Sequence, residues 1–168
     1  ISTTKHLLTI TGFSDIIMVE WRQDIFMIDN YGRVIDYMRI SVTELCNLRC
    51  RYCMPEDGIV KRAHDEMMTA EETIDAVKAA VSLGIKKIRI TGGEPLVKRG
   101  IVKLCSAISA IEGVEELCIT TNGTLLPKFG KELREAGVSR VNISLDTLDP
   151  DKYREITRVG ELSEALVG

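Results

Sequence analysis

The chain has 168 residues, 45% of them hydrophobic, with 22 basic against 25 acidic side chains and a net charge of −3. The length suits one domain with a packed core, while the balanced charge argues against a nucleic-acid or other general polyanion binder. No apolar run approaches a membrane span, and five cysteines, three of them crowded together, point away from a secreted disulfide framework toward a reducing, cytoplasmic compartment.

Residues 1–26 carry no positively charged start followed by a long apolar run, so they do not read as a signal peptide. They are expected to form an extension, one added strand or helix with some apolar alternation at Ile16, Ile17, Met18 and Val19, or to lie outside the functional protein. The chain does not begin with Met, and Met27 is a candidate start for an organised domain over 27–168.

Asp29 to Arg33 reads as a turn. A strand over 37–43 follows, with Met38, Ile40 and Val42 on one face and Arg39, Ser41 and Thr43 on the other. Its end runs into Cys46, Cys50 and Cys53, spaced C-x3-C-x2-C. Structural zinc sites want four ligands, usually as two separated pairs, and bacterial ferredoxins use a different four-cysteine spacing. The simplest reading is an iron–sulfur cube held at three corners, with the fourth iron open to an outside ligand. Three unrelated or redox-regulatory thiols are the alternative. Arg49 and Arg51 either moderate the charge of such a cluster or are solvated. Tyr52, between two ligands, either faces the cofactor region or packs.

A polar loop then leads to Met68. Thr69 and Glu72 have the spacing of a capping box, and Ile74, Val77, Ala80 and Val81 give the helical stripe that follows, ending at Gly84. The second strand, 86–91, ends in Gly92, Gly93, Glu94 and Pro95, a pair of glycines for close backbone approach and a carboxylate able to meet an ammonium group. A helix over 101–111, a strand over 116–121 ending in Asn122 and Gly123, a helix marked by Leu126, Phe129, Leu133 and Ala136, and a strand over 140–146 complete the rhythm. A last helix begins near Asp149 or Pro150.

Four strand–helix units predict an α/β fold with a parallel sheet and right-handed crossovers. Each strand keeps a polar row: Arg39, Ser41 and Thr43; Arg89 and Thr91; Cys118 and Thr120; Asn142, Ser144 and Asp146. A flat doubly wound sheet would bury both faces. The alternation therefore predicts a partial, incomplete TIM-like barrel, its polar rows lining a concave interior and its special loops leaving the C-terminal strand ends. Arg39 and Arg89 in that interior either pair with Asp146 or Glu94 or bind a phosphate or polar base. Ser144 could bind a hydroxyl or carboxylate. Cys105 and Cys118 read as packing.

The three-cysteine motif resembles that of the radical S-adenosylmethionine (SAM) superfamily. The stretches DYMRISVTELCNLRCRYCMPEDG, KIRITGGEPL, ITTNG and VNISLDTLDP resemble, in order, the motifs of its molybdenum-cofactor GTP 3′,8-cyclase family, from about Met27 to at least Arg158. The resemblance implies a [4Fe–4S] cluster on Cys46, Cys50 and Cys53, with SAM on its open iron. It implies SAM contacts at Tyr52, Gly93 and Ser144, with Gly92 and Glu94 in the same loop, and GTP contacts at Arg39, Arg89 and Thr120. No side chain acts as the catalytic group; the 5′-deoxyadenosyl radical from SAM takes hydrogen from C3′ of GTP, and the ribose radical attacks C8.

The same resemblance implies an electron donor such as reduced flavodoxin or ferredoxin, a cyclic pyranopterin monophosphate synthase that receives the product, and a homodimer as one assembly. It places a second [4Fe–4S] cluster in a C-terminal region that these residues lack. They are thus expected to be the N-terminal part of the enzyme, inactive in cyclisation alone. Another radical SAM enzyme, peptide-modifying or activating, and a non-catalytic iron–sulfur module are the competing expectations.

Overall fold

The computed structural model describes residues 19–21, 24–59 and 67–168. Two short strands, β1 (Val19–Trp21) and β2 (Asp24–Phe26), pair antiparallel. The rest of the expected extension, and the part of the polar loop at 60–66, lie outside the described residues. The turn expected at Asp29 to Arg33 is built by the Asp29 carboxylate, which accepts from the Tyr31 and Arg33 amides at 2.9 and 3.0 Å.

Four strands form one parallel sheet: β3 (Tyr37–Ser41), β4 (Lys87–Thr91), β5 (Glu116–Thr121) and β6 (Arg140–Ile143). Their spatial order is their chain order. A doubly wound sheet reverses direction at a switch point; this one never does. Right-handed crossovers in a constant direction put successive helices on one face, which is the winding of a barrel. The helices are α1 (Ala70–Ser82), α2 (Ile101–Ser109), α3 (Leu126–Glu135), α4 (Pro150–Thr157) and α5 (Leu162–Val167).

The core forms where the strands' apolar rows meet α1, α2 and α3. Ile88, Ile90 and Ile119 are fully buried, together with Val77 of α1, Cys105 and Ile108 of α2, and Leu133 of α3. Each of these larger side chains contributes about 1.5–3 kcal/mol by leaving water. Met27 packs against the same core. Local signals agree with the packing: Thr69 and Glu72 make the reciprocal capping box at the start of α1.

Some expectations change in detail: the strand expected over 37–43 stops at Ser41, and the helix expected over 101–111 stops at Ser109. The strand expected over 140–146 stops at Ile143, and Val141 and Ile143 stay 40% and 45% exposed. This is the sheet's edge, where no further strand covers β6 among the described residues. The last helix is two helices, α4 and α5, separated at Arg158 to Glu161. They close a small second core of Tyr153, Leu162 and Ala165.

Candidate functional site

The C-terminal ends of the four strands carry the loops in question. From β3 the chain runs through Val42, whose amide donates to Thr91 O at 3.0 Å, into the cysteine segment. The loop after β4 lies directly against it. Gly93 N donates to Thr43 O at 2.7 Å and Glu94 N to Leu45 O at 2.8 Å. A Cβ at Gly92 would stand 2.5 Å from Thr43 O, and one at Gly93 2.4 Å from Leu45 O. Both glycines thus permit backbone-on-backbone contact that fixes the approach to Cys46.

Glu94 does something its sequence position did not announce. Its side chain is 1% exposed, and its carboxylate accepts from Leu96 N at 3.0 Å, Thr121 Oγ1 at 2.7 Å and Asn122 N at 2.7 Å. It ties the end of β4 to the end of β5. Asn122 in turn donates to Asn47 Oδ1 at 2.8 Å, and Asn47 donates to Thr124 Oγ1 at 2.9 Å, so the β5 exit is joined to the cysteine loop.

Cys46 and Cys50 are half-buried and Cys53 is exposed. Cys46 Sγ accepts from Leu48 N at 3.3 Å, and Cys50 O accepts from the amides of Cys53 and Met54 at 2.9 and 3.0 Å. Desolvation pushes the Cys46 and Cys50 thiols above the usual range, and the neighbouring cysteines push Cys50 further the same way. All three are free of disulfides.

Among the described residues no three His, Cys, Asp or Glu side chains converge as a single metal ion would need. Three free thiols within eight residues of one loop are the donor chemistry of a cluster whose metal atoms each take one thiolate.

Arg49 is not simply solvated: its Nη1 donates to the carbonyls of Cys46 and Leu48 at 2.7 and 2.9 Å. Arg51 pairs with Glu155 of α4 at 2.9 Å on the surface. Tyr52 is 71% exposed rather than packed, and its hydroxyl donates to Asp146 Oδ2 at 2.7 Å. That bond to a carboxylate, with desolvation, raises the phenol's pKa well above its ordinary value. It joins the cysteine loop to the segment after β6. Ser144 lies exposed on that segment, its amide donating to Thr121 O at 2.9 Å.

The polar face holds the remaining candidates. Arg39, Arg89, Cys118 and Arg140 stand in one register row across the four strands. Arg140 pairs with Glu116 at 2.7 Å, and the Cys118 thiol donates to the same carboxylate at 2.9 Å. Arg39 and Arg89 pair with neither Asp146 nor Glu94; Arg89 lies over the Tyr37 ring at 5.4 Å. Arg89 Nε and Thr120 Oγ1 are buried without a hydrogen-bond partner. Buried polar atoms are nearly always satisfied, so these two on one sheet face stand out, as does the Tyr153 hydroxyl in the small second core. Cys105 is buried alone in α2, its thiol pushed up to about 12 by desolvation.

The structure thus gathers the cysteine loop, the Gly92–Glu94 loop, Tyr52 and Ser144 around the same strand ends, and sets Arg39, Arg89 and Thr120 on the sheet's polar face. Sequence reasoning missed the tie from Glu94 to Thr121, the Asn47–Asn122–Thr124 network and the Tyr52–Asp146 bond. Short polar side chains after strands signal turns, but their partners are set by tertiary contact.

Comparison with known proteins adds an independent line. The profile of the Radical SAM superfamily matches residues 40–167. Over 142 residues the chain is 61% identical to the GTP 3′,8-cyclase of Alkaliphilus oremlandii and 58% identical to that of Peptoclostridium acidaminophilum. Each match covers 84% of this chain and 44% of the relative, so the chain spans less than half the length of those curated proteins. Among solved structures, Streptococcus suis SuiB bound to S-adenosylmethionine superposes with a TM-score of 0.59 at 23% identity, over 79% of this chain and 28% of that one. Methylornithine synthase (PylB) superposes at 0.60 and 21%, over 78% and 39%. These two likenesses carry the fold.

Proposed function

This chain belongs to the radical SAM superfamily, whose members use SAM with a [4Fe–4S] cluster, and from that premise we propose that it is the cluster-bearing part of a GTP 3′,8-cyclase. The observation that carries the substrate reading is the pair of orphaned buried atoms, Arg89 Nε and Thr120 Oγ1, on the face that also presents Arg39. The 61% identity to a GTP 3′,8-cyclase supports it. The full enzyme would convert GTP to 3′,8-cyclo-7,8-dihydro-GTP in molybdopterin biosynthesis.

Cys46, Cys50 and Cys53 would hold the cluster. When bound, cluster and SAM supply hydrogen-abstracting radical chemistry; the protein's own part is to position and to shield. The backbone at Gly92 and Gly93, Tyr52 and Ser144 would hold SAM. Glu94 would join them in holding SAM while its carboxylate, with three internal donors, keeps the β4 and β5 exits together. Arg39 and Arg89 would bind the anionic or guanine part of GTP, and Thr120 would satisfy its hydroxyl there.

A second [4Fe–4S] cluster would take its cysteines from outside residues 1–168, because Cys105 and Cys118 are buried singly. No helix among the described residues is long and apolar enough to cross a membrane. Residues 27–168, together with the further sequence of the full enzyme, would work in the cytoplasm with an electron donor such as reduced flavodoxin or ferredoxin, with a homodimer as one assembly, and would hand the product to cyclic pyranopterin monophosphate synthase.

GTP binding to the anaerobically reconstituted chain, followed with product analysis, tests this. We expect measurable GTP binding that falls about tenfold or more in Arg89→Ala, as loss of a charge-assisted hydrogen bond predicts. We expect no cyclised GTP from the chain alone. Equal binding by both proteins would overturn the substrate site, and normal cyclic product would overturn the need for further sequence.

A further inference from the structure

Helices α1 and α3 leave through Gly84 and Gly137, at φ 98° and 90°, where a side chain would crowd the backbone. Helix α4 leaves through Arg158 at φ 64°, the one non-glycine residue with positive φ among the described residues. A residue held in that region persists where the surroundings demand its side chain.

The demand is visible. Arg158 Nη1 donates to Arg49 O at 2.7 Å and to Met54 O at 3.1 Å. Those two carbonyls bracket Cys50 and Cys53. Beside them, Arg49 N donates to Thr157 O at 3.0 Å and Arg51 N to Ile156 O at 2.9 Å. The last turn of α4 thus closes onto the cysteine loop through backbone bonds that many residues could make and through two bonds that need a long cationic donor. Glycine would suit the backbone and lose both.

We propose that Arg158 is a positioning residue for the cysteine loop: its guanidinium clasps residues 49–54 so that Cys50 and Cys53 are held in place before a cluster assembles. It would act through the loop it holds, its observed bonds being to the Arg49 and Met54 carbonyls. The role rests on the cluster reading above, but the clasp itself belongs to the metal-free chain.

The test compares Arg158→Gly and Arg158→Lys with the unaltered chain. Amide exchange is read on the metal-free proteins, and iron loss to a chelator on the reconstituted ones. In Arg158→Gly the Arg49, Arg51 and Met54 amides are expected to exchange about tenfold faster or more, while the amides of β4 and β5 keep their rates. Iron is expected to leave faster by a similar factor, and Arg158→Lys, which keeps a charged donor without the fork, to lie between.

Unchanged loop exchange in Arg158→Gly would overturn the clasp. So would equal acceleration of loop and sheet, which marks general stability. Should the glycine variant not fold, Arg158→Lys decides: faster loop exchange with a native melting curve supports the clasp, and unchanged exchange overturns it. Failure of the unaltered chain to take up iron would count against the cluster reading, while the exchange rates still judge the clasp.

Discussion

Glu94 shows how a candidate ligand residue can carry structural bonds as well. A carboxylate after paired glycines suggests a partner for an ammonium group, yet here Thr121, Leu96 and Asn122 donate to it inside the protein. Glu94→Gln would turn one acceptor into a donor facing donors. We expect a loss of about 2–3 kcal/mol, the range for hydrogen bonds to a buried charged group, measured by urea unfolding. Cys46, Cys50 and Cys53 were legible because their spacing alone restricts what they can bind. The partners of Glu94 and Tyr52 were not, because 27 and 94 residues separate them from Thr121 and Asp146. No local pattern encodes contacts of that range.

At the scale of elements, the alternation of β3, β4 and β5 was readable because a period of two assigns each residue a face directly. The burial follows it: Ile88 and Ile90 are fully buried while Arg89 between them is not. Ile119 lies at the centre of that packing, and Ile119→Ala is expected to cost about 2–5 kcal/mol in unfolding free energy. The Gly92–Glu94 loop gives a sharper case. In Gly93→Ala the new Cβ would meet Leu45 O at 2.4 Å, so the loop must separate from the cysteine segment. We expect about 1–3 kcal/mol of destabilisation, the usual cost of overpacking, together with weaker retention of iron. The break between α4 and α5 was hidden for a related reason: the chain leaves α4 at Arg158 with φ 64°, and arginine is ordinarily a good helix former.

At the scale of the whole molecule, strictly sequential strand order places the cysteine loop, the Gly92–Glu94 loop and the exits of β5 and β6 side by side along one sheet end. The β/α rhythm made this legible in outline; the exposure of Val141 and Ile143 at the edge was not, because alternation shows a strand's faces and not its neighbours.

Stability also has a pH signature. Bonds from Arg33, Lys87 and the Cys118 thiol hold the Asp29, Asp36 and Glu116 carboxyls below their ordinary values. A lowered native pKa contributes stability that is present above the unfolded value, about 4, and is lost as pH falls through the native value. The urea midpoint should therefore fall as pH drops below about 4, and Asp36→Asn should make that limb shallower. An equally steep limb in the variant would remove Asp36 from the account.

On this reading Cys46, Cys50 and Cys53 carry a cluster that works on SAM. The most direct test is anaerobic reconstitution of the chain with iron and sulfide, then reduction in the presence of SAM. We predict about four irons and four sulfides per chain, with 5′-deoxyadenosine and methionine released. Cys50→Ala should lose both the cluster and the cleavage, while Cys118→Ala keeps its iron. A fully loaded chain that leaves SAM intact, or one that keeps its cluster when Cys46, Cys50 and Cys53 are all replaced by alanine, would contradict the account.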